Sequence, residues 1–543
     1  MVKYLLHNSK NLFNHQHKSI LSAAFVIGAS YLGSAFLGLI RNRLLAARFF
    51  GGMERDLDVY FAAFVIPDTI FQLLIVGAVS VAFIPIYQSY SLKSQDKANE
   101  LANAALTTIG LSLIFLTLLL VIFAEPVAGL LAHYPPDQLK LMANLIRLMS
   151  LAQVLFAVSA FLTGILQAHR RFLIPAIAPL LYNLGTILGI YFLSSSLGIY
   201  SAALGVVFGA LLHVLIQIPL ARYLGFTPKP LLKPNHPGVV SMLKLMPPRT
   251  LALAVDQIER WVAVNLTSLL FAGSLSLFSF ARQLYVLPIS LFGISLSQAS
   301  FPVLAEEANG HKEKFIATLR KSILQIFFFA LPASILILVL RIPLVRLAFG
   351  AKTFPWIATL LTGKTLAFLS LTIAPQAVTH LLTRAFHAYK NTKTPLLVGL
   401  ISMFVFTLVA YFTSKFWGIV GIAVSISLAN LIDFSLLYLL LSRQLGNLGL
   451  SKPLAKMLLA SSITGLALWL PLRLLDRFVF DTTHTLPLIA LTISVTLIGF
   501  GVYLFFSYLF RVAELHEVLN LFKKLGNWQK VLVKSDEVIE PTP

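Results

Sequence analysis

"FVIPDTIFQLLIVGAVSVAFIPIYQSY", residues 64–90, holds a single charged side chain, Asp68, in a run of apolar and small residues. As a helix rising 1.5 Å per residue it is long enough to cross a hydrocarbon core of about 30 Å. "YVLPISLFGISLSQASFPVLAEEA" (285–308) follows the same order: an early proline, then glycine and small residues, then a closing phenylalanine and proline. Pro67 and Pro288 lie 221 positions apart. "LQAHRRFLIP" (166–175) and "FHAYKNTKTP" (386–395) match in the same way, with their prolines 220 apart, and Arg41 and Arg260 are separated by 219. Three landmarks at a nearly constant offset predict two homologous halves of six spans each. Six is even, so both halves enter the membrane in the same direction and are related by an axis along the membrane normal, a transporter layout.

Composition agrees. The chain of 543 residues is 58% hydrophobic and only 12% charged, with a mean hydropathy of +0.85; soluble chains are about one quarter charged. Apolar runs predict fourteen spans, near 19–47, 57–87, 99–124, 139–167, 174–194, 198–221, 238–268, 272–304, 315–340, 354–386, 395–413, 417–442, 454–473 and 485–509. The fold class is therefore all-α and polytopic, two six-helix lobes as tandem parallel repeats plus two extra C-terminal helices. The expected division is a cytoplasmic lead (1–18), an N-lobe (19–221), a cytoplasmic linker (222–237), a C-lobe (238–442), spans 13 and 14 (443–510) and a cytoplasmic amphipathic tail (511–543).

Placing both termini inside puts Lys93, Lys97, Arg170, Arg171, Lys312, Lys314, Lys390 and Lys393 on the inner face, the bias of the positive-inside rule. The net charge of +21 therefore reads as orientation against an anionic leaflet, with membrane lipids and not nucleic acid as the partner. The first 18 residues lack the apolar core and small-residue cleavage site of a signal peptide and read as a retained interfacial lead. Zero cysteines exclude disulfides, thiolate metal sites and cysteine nucleophiles. No loop is long enough for a catalytic domain, and no acidic cluster fills a sizeable loop. The chain reads as a non-enzyme with neither cofactor nor metal; coupling to sodium, protons or membrane potential is left open.

Charged residues inside the spans are the candidates for function. "GLIRNRLLAARFF" (38–50) carries Arg41, Arg43 and Arg48. A bare arginine costs at least ~2.5 kcal/mol at a helix centre, so each faces cargo, a partner or, by snorkelling, the interface. Arg41 and Arg48 share a face and Arg43 points largely the other way. Arg282 lies deep in span 8, beyond comfortable snorkelling, and reads as a cavity residue or half of a structural ion pair. In "VDQIERWVAV" (255–264) Asp256, Glu259 and Arg260 share one face, either as an internal ion pair or as cavity lining. Three readings of Asp68 stand: protonated, paired with Arg41, or ion-coupling. Lys364 and Asp433 read as functional by location or as each other's partners. Pro67 and Pro288 bend or bound helices, which suits rocking lobes and is also common in ordinary transmembrane packing.

Taken in order, "GLIRNRLLAARFFG", "DVYFAAFVIPD", "GAVSVAFIPIY", "RRFLIPAIAPLLYN", "FARQLYVLPISLFGISLSQASFPVLAE" and "FHAYKNTKTP" resemble the MurJ/MviN lipid II flippases of the multidrug/oligosaccharidyl-lipid/polysaccharide exporter superfamily. The resemblance implies two lobes around a cationic cavity, a groove for a polyprenyl tail at spans 13 and 14, and lipid II moved from inner to outer leaflet of the bacterial plasma membrane by alternating access. It further implies substrate-binding roles for Arg41, Arg282 and Asp58, and cell-wall synthesis proteins as partners. Arginine suits a pyrophosphate because it is permanently charged and bidentate.

The chain departs from the family pattern at Ala35, Asn42, Phe71, Gln72, Val76 and Tyr285, where relatives carry charge, and Ala263 takes the place of a sodium-site acid, so no sodium site is carried over. Two rival readings follow: an exporter of another polyprenyl-linked saccharide or a drug/cation antiporter, and a transport-dead scaffold for cell-wall synthesis.

Overall fold

The computed structural model of the protein describes residues 20–77 and 82–515; side chains are described throughout except at 20–27, 29, 248, 249 and 252. The expected lead (1–18) and the tail beyond residue 515 lie outside the described residues. Every described element is helical. In chain order they are α1 (Ile20–Phe49), α2 (Glu54–Phe71) running into a π-helical turn (Gln72–Val76), α3 (Ile84–Ser91), α4 (Gln95–Ile122), α5 (Ala124–Leu131), α6 (Pro136–Ala168), α7 (Leu173–Leu197), α8 (Tyr200–Leu215), α9 (Ile218–Tyr223) and α10 (Pro237–Ser268). Then come α11 (Ser274–Pro288) with a second π-helical turn (Ile289–Ile294), α12 (Ser295–Glu307), α13 (Lys312–Val339), α14 (Arg341–Phe349), α15 (Trp356–Ser370), α16 (Ile373–Ala388), α17 (Lys393–Leu445), α18 (Ser451–Phe478) and α19 (Thr485–Leu509).

Among the described residues ten helices are long and apolar enough to cross a membrane, and the pair α15–α16, bent by 46°, brings this to eleven. The 53-residue α17 is two helices meeting at Gly418. With α1 (30 residues) and α10 (32 residues) also of spanning length, the helices are compatible with fourteen crossings.

The internal repeat is written in the backbone. Four pairs of residues with positive φ recur at 220 or 221 positions: Gly52 and Gly273 (125° and 94°), Arg170 and Lys390 (both 58°), Gly198 and Gly418 (53° and 55°), and Gly225 and Gly446 (85° and 99°). The second pair is the more telling because neither member is glycine, and a left-handed L-residue costs about 1–2 kcal/mol. Both close a helix with the same two hydrogen bonds: Arg170 N to Gln167 O with Arg171 N to Leu166 O, and Lys390 N to His387 O with Asn391 N to Phe386 O. This is the six-to-one and five-to-two pattern that satisfies the last helical carbonyls.

Packing divides the molecule into two compact units: the described residues up to Ser279 together with Ala348–Pro355, and Phe280–Leu347 together with the residues from Trp356 on. In the first, α2, α3, α4 and α6 enclose Phe83, Tyr87, Leu101, Phe161 and Ile165. α7 and α8 meet backbone to backbone: a Cβ on Gly185 would lie 2.5 Å from Gly209 Cα, and one on Gly189 2.5 Å from Gly205 Cα. Close approach through small residues is how helices associate where lipid removes the hydrophobic drive. α10, the seventh span, packs on α2, α4 and α5 of this unit.

In the second unit, Phe315, Phe327, Phe328, Leu381 and Tyr503 form the core. The π-helical turn lies against α16, so that a Cβ on Gly293 would fall 2.6 Å from Ala377 Cα. α18 and α19, the two helices outside the repeat, dock on α13, where the Tyr503 hydroxyl donates to Phe328 O at 3.0 Å. In the loop joining them, the Thr483 hydroxyl donates to Asp481 at 2.6 Å and holds its carboxyl below the usual carboxylate value.

Candidate functional site

Arg41 sits two thirds of the way along α1, half-buried against α7. Its Nη1 donates to Asn183 Oδ1 and its Nε to Asn42 Oδ1, each at 3.2 Å. Asn183 is itself fixed: its amide nitrogen donates to Ser34 Oγ (3.1 Å), Ser34 O (3.2 Å) and Pro179 O (3.2 Å). Among the described residues no carboxylate stands within ion-pair distance of Arg41. A guanidinium oriented by neutral oxygens keeps its full charge, and desolvation makes that charge strongly attractive to an anion. The reading that paired Asp68 with Arg41 therefore gives way.

Asp68 pairs instead with Arg260, whose Nη1 donates to Asp68 Oδ2 at 2.9 Å. The contact joins α2, one residue past Pro67, to α10. A polar seam runs beside it: Thr69 Oγ1 donates to Gln257 Oε1 and Trp261 Nε1 to Thr69 Oγ1, both at 3.0 Å, and Thr250 Oγ1 donates to Leu73 O at 3.1 Å. The acid that meets Arg260 thus comes from another span. Asp256 is exposed and Glu259 half-buried, each with contacts of its own.

Asp58 is completely buried. Its Oδ2 accepts from Gly273 N (2.7 Å), and its Oδ1 accepts from Ser276 N (2.8 Å) and Ser276 Oγ (2.7 Å). Both oxygens are committed to capping the first turn of α11, where unpaired N–H groups and the helix dipole favour a carboxylate. Gly273 turns into that helix at φ +94°, and a Cβ there would sit 3.3 Å from Glu54 Cβ. The geometry gives Asp58 a positioning role at the head of the helix that carries Arg282.

Arg282 is half-buried, as are Arg43 and Asp433. Arg48 is exposed, with its guanidinium 6.0 Å from the centre of the Tyr191 ring. Lys364 is exposed, and among the described residues no ion pair joins it to Asp433, so that pairing is corrected. Pro67 lies inside α2 five residues before its π-helical turn, and Pro288 ends α11 immediately before the other. Both sequence-marked prolines therefore sit where the helical hydrogen-bond ladder changes register. Among the described residues no cluster of three histidine or acidic side chains could hold a metal ion.

Sequence reading missed Thr69, Gln257 and Trp261, which look like ordinary residues in apolar helices and gain their role only from each other. Asn183 was legible as a polar residue in "APLLYNLG" but read as packing.

The family model for the lipid II flippase MurJ matches residues 46–496. The chain belongs to the MurJ family. A Thermotoga maritima protein named "Probable lipid II flippase MurJ" is 29% identical over 92% of this chain and 98% of its own length. The "Lipid II flippase MurJ" of Burkholderia cenocepacia is 26% identical over 78% of this chain and 83% of its own length. A solved structure of lipid II flippase MurJ in an inward closed conformation superposes with a TM-score of 0.74 at 25% identity, over 90% of this chain and 98% of that one. An inward-facing multidrug transporter of the MATE family superposes at 0.65 with 13% identity over 78% of this chain and 99% of that one, a likeness of fold alone. As a MurJ-family protein the chain is a multi-pass membrane transporter.

Proposed function

We propose that the chain is a lipid II flippase of the bacterial plasma membrane, carrying its cargo from the inner to the outer leaflet by alternating access with both termini in the cytoplasm. Family membership over residues 46–496 carries the reading, and the setting of Arg41 supports it. A pyrophosphate has oxygens enough for two arginines, and a guanidinium held by Asn183 and Asn42 without a carboxylate is ready for one. Arg282, on the helix whose start Asp58 caps, is the further arginine that the family resemblance implies. The polyprenyl tail lies along α18 and α19, the helices outside the repeat. Rocking is taken up at the π-helical turns after Pro67 and Pro288. A net charge crossing the membrane field adds ~2.3 kcal/mol per 100 mV, so membrane potential bears on the direction of transport.

The test is complementation of a bacterium depleted of its own lipid II flippase, with membrane insertion verified for every variant. Wild type is expected to restore growth, and Arg41→Ala and Arg282→Ala to lose it. Equal rescue by all three would remove the arginines from the mechanism, and failure of well-inserted wild type would count against lipid II as cargo.

A further inference from the structure

Arg260 is the counterpart of Arg41 in the second repeat, 219 positions on, within one residue of the backbone offset. The two arginines differ in company. Arg41 is held by amide oxygens, whereas Arg260 is held by Asp68 of another span. The hold on Arg260 is slight for an arginine–carboxylate contact. One nitrogen meets one oxygen at 2.9 Å, while Asp68 Oδ1 turns to Gln72 at 3.5 Å. Arginine has five N–H donors in a planar fork. The other nitrogens of Arg260 have no hydrogen-bond partner among the described residues, and its side chain is 34% exposed against 13% for Asp68. Arginine–carboxylate pairs are frequently bidentate; this one leaves most of the fork open.

We propose that Arg260 is a further phosphate-binding arginine, held in reserve by Asp68, which occupies the place of a cargo phosphate oxygen until the cargo displaces it. The inference rests on the proposed pyrophosphate-linked cargo and deepens that reading. Exchange is chemically reasonable. Desolvation offsets much of the attraction within a buried carboxylate–guanidinium pair, and a pyrophosphate brings more charge and a bidentate face to the same fork. The seam of Thr69, Gln257 and Trp261 keeps α10 on α2 when the ion pair opens, so release of Arg260 does not require the helices to part. Asp68 also stands between Pro67 and the π-helical turn of α2. Asp256 and Glu259, the nearest acids on α10, have contacts of their own and do not take the place of Asp68.

The experiment measures binding of inorganic pyrophosphate and of farnesyl pyrophosphate to the full-length protein in lipid nanodiscs. If Arg260 is in reserve, removing its resident anion improves binding. Asp68→Asn is expected to tighten both probes by about tenfold or more, the scale of one added charge-assisted hydrogen bond. Arg260→Gln alone is expected to bind both probes more weakly than wild type, and Asp68→Asn with Arg260→Gln to lose the gain. Asp68→Ser serves as a second release variant should the asparagine form not fold. The proposal is overturned by no gain in the release variants, by a gain that survives Arg260→Gln, by a gain confined to inorganic pyrophosphate, or by unfolding of both release variants, which would make the pair structural. Complementation separates this from the cargo assignment: wild type that rescues while Asp68→Asn gains nothing keeps the flippase and removes Arg260 from its site.

Discussion

Asn183 does at the scale of one residue what the apolar pattern of α7 gives no reason to expect. It is buried, spends its amide nitrogen on Ser34 and Pro179, and leaves its carbonyl oxygen for Arg41. Aspartate in its place would fit the same volume but would pair with Arg41 and neutralise it. Asn183→Asp is therefore expected to weaken pyrophosphate binding by about tenfold, with membrane insertion unchanged. This is the opposite sign to Asp68→Asn, because one change adds an anion beside an arginine and the other removes one. Isothermal titration of the purified protein reads both, and unchanged binding in Asn183→Asp would place Arg41 outside the site. Asp58 shows the converse lesson. As a buried acid it looks like a binding group, yet its two oxygens are consumed by three donors at the start of α11.

Contact between α7 and α8 sets the position of Asn183 at the scale of the element. The contact is made by glycines because only a missing Cβ lets the backbones approach: one on Gly209 would lie 2.4 Å from Tyr182 O, and Tyr182 is the neighbour of Asn183. Gly209→Val and Gly189→Val are expected to separate the two helices and abolish accumulation of folded protein. Gly110→Ala and Gly129→Ala, where an added Cβ meets nothing within 4 Å, are expected to change little. Fluorescence-detected size exclusion of the solubilised variants checks this; a monodisperse, wild-type peak from Gly209→Val would show that the close approach is dispensable. The π-helical turns belong to this scale too. Sequence marked them only through Pro67 and Pro288, since a change of helical register leaves no trace in hydropathy.

For the whole molecule, the fourteen-span reading and the inward termini make a topology that the absence of cysteine renders easy to map. Lys93→Cys and Lys390→Cys are expected to react with a membrane-impermeant maleimide only from the cytoplasmic side, and Asp481→Cys only from outside. Labelling of Lys93→Cys and Asp481→Cys from the same side would sink the topology. The repeat was readable from three landmarks, and the backbone extends it to positions that none of them covers, such as Gly52 with Gly273 and Gly198 with Gly418. Packing is less symmetrical than sequence: α10 begins the second repeat, yet it packs within the unit built from the first.

Hydropathy is a local property, a sum over neighbours along the chain. Sequence alone therefore determined the membrane class, the helical spans, the repeat and the arginines that carry uncompensated cost in hydrocarbon. Family motifs, also local strings, brought out the MurJ resemblance. Which charge answers which is decided between spans far apart in sequence. Asp68 and Arg260 are 192 residues apart, and Arg41 and Asn183 are 142 apart. In a medium of low dielectric those juxtapositions decide whether an arginine is open to an anion, held by a carboxylate or spent on structure. Only the folded chain brings the partners together, so only the tertiary structure could separate the open arginine from the occupied one.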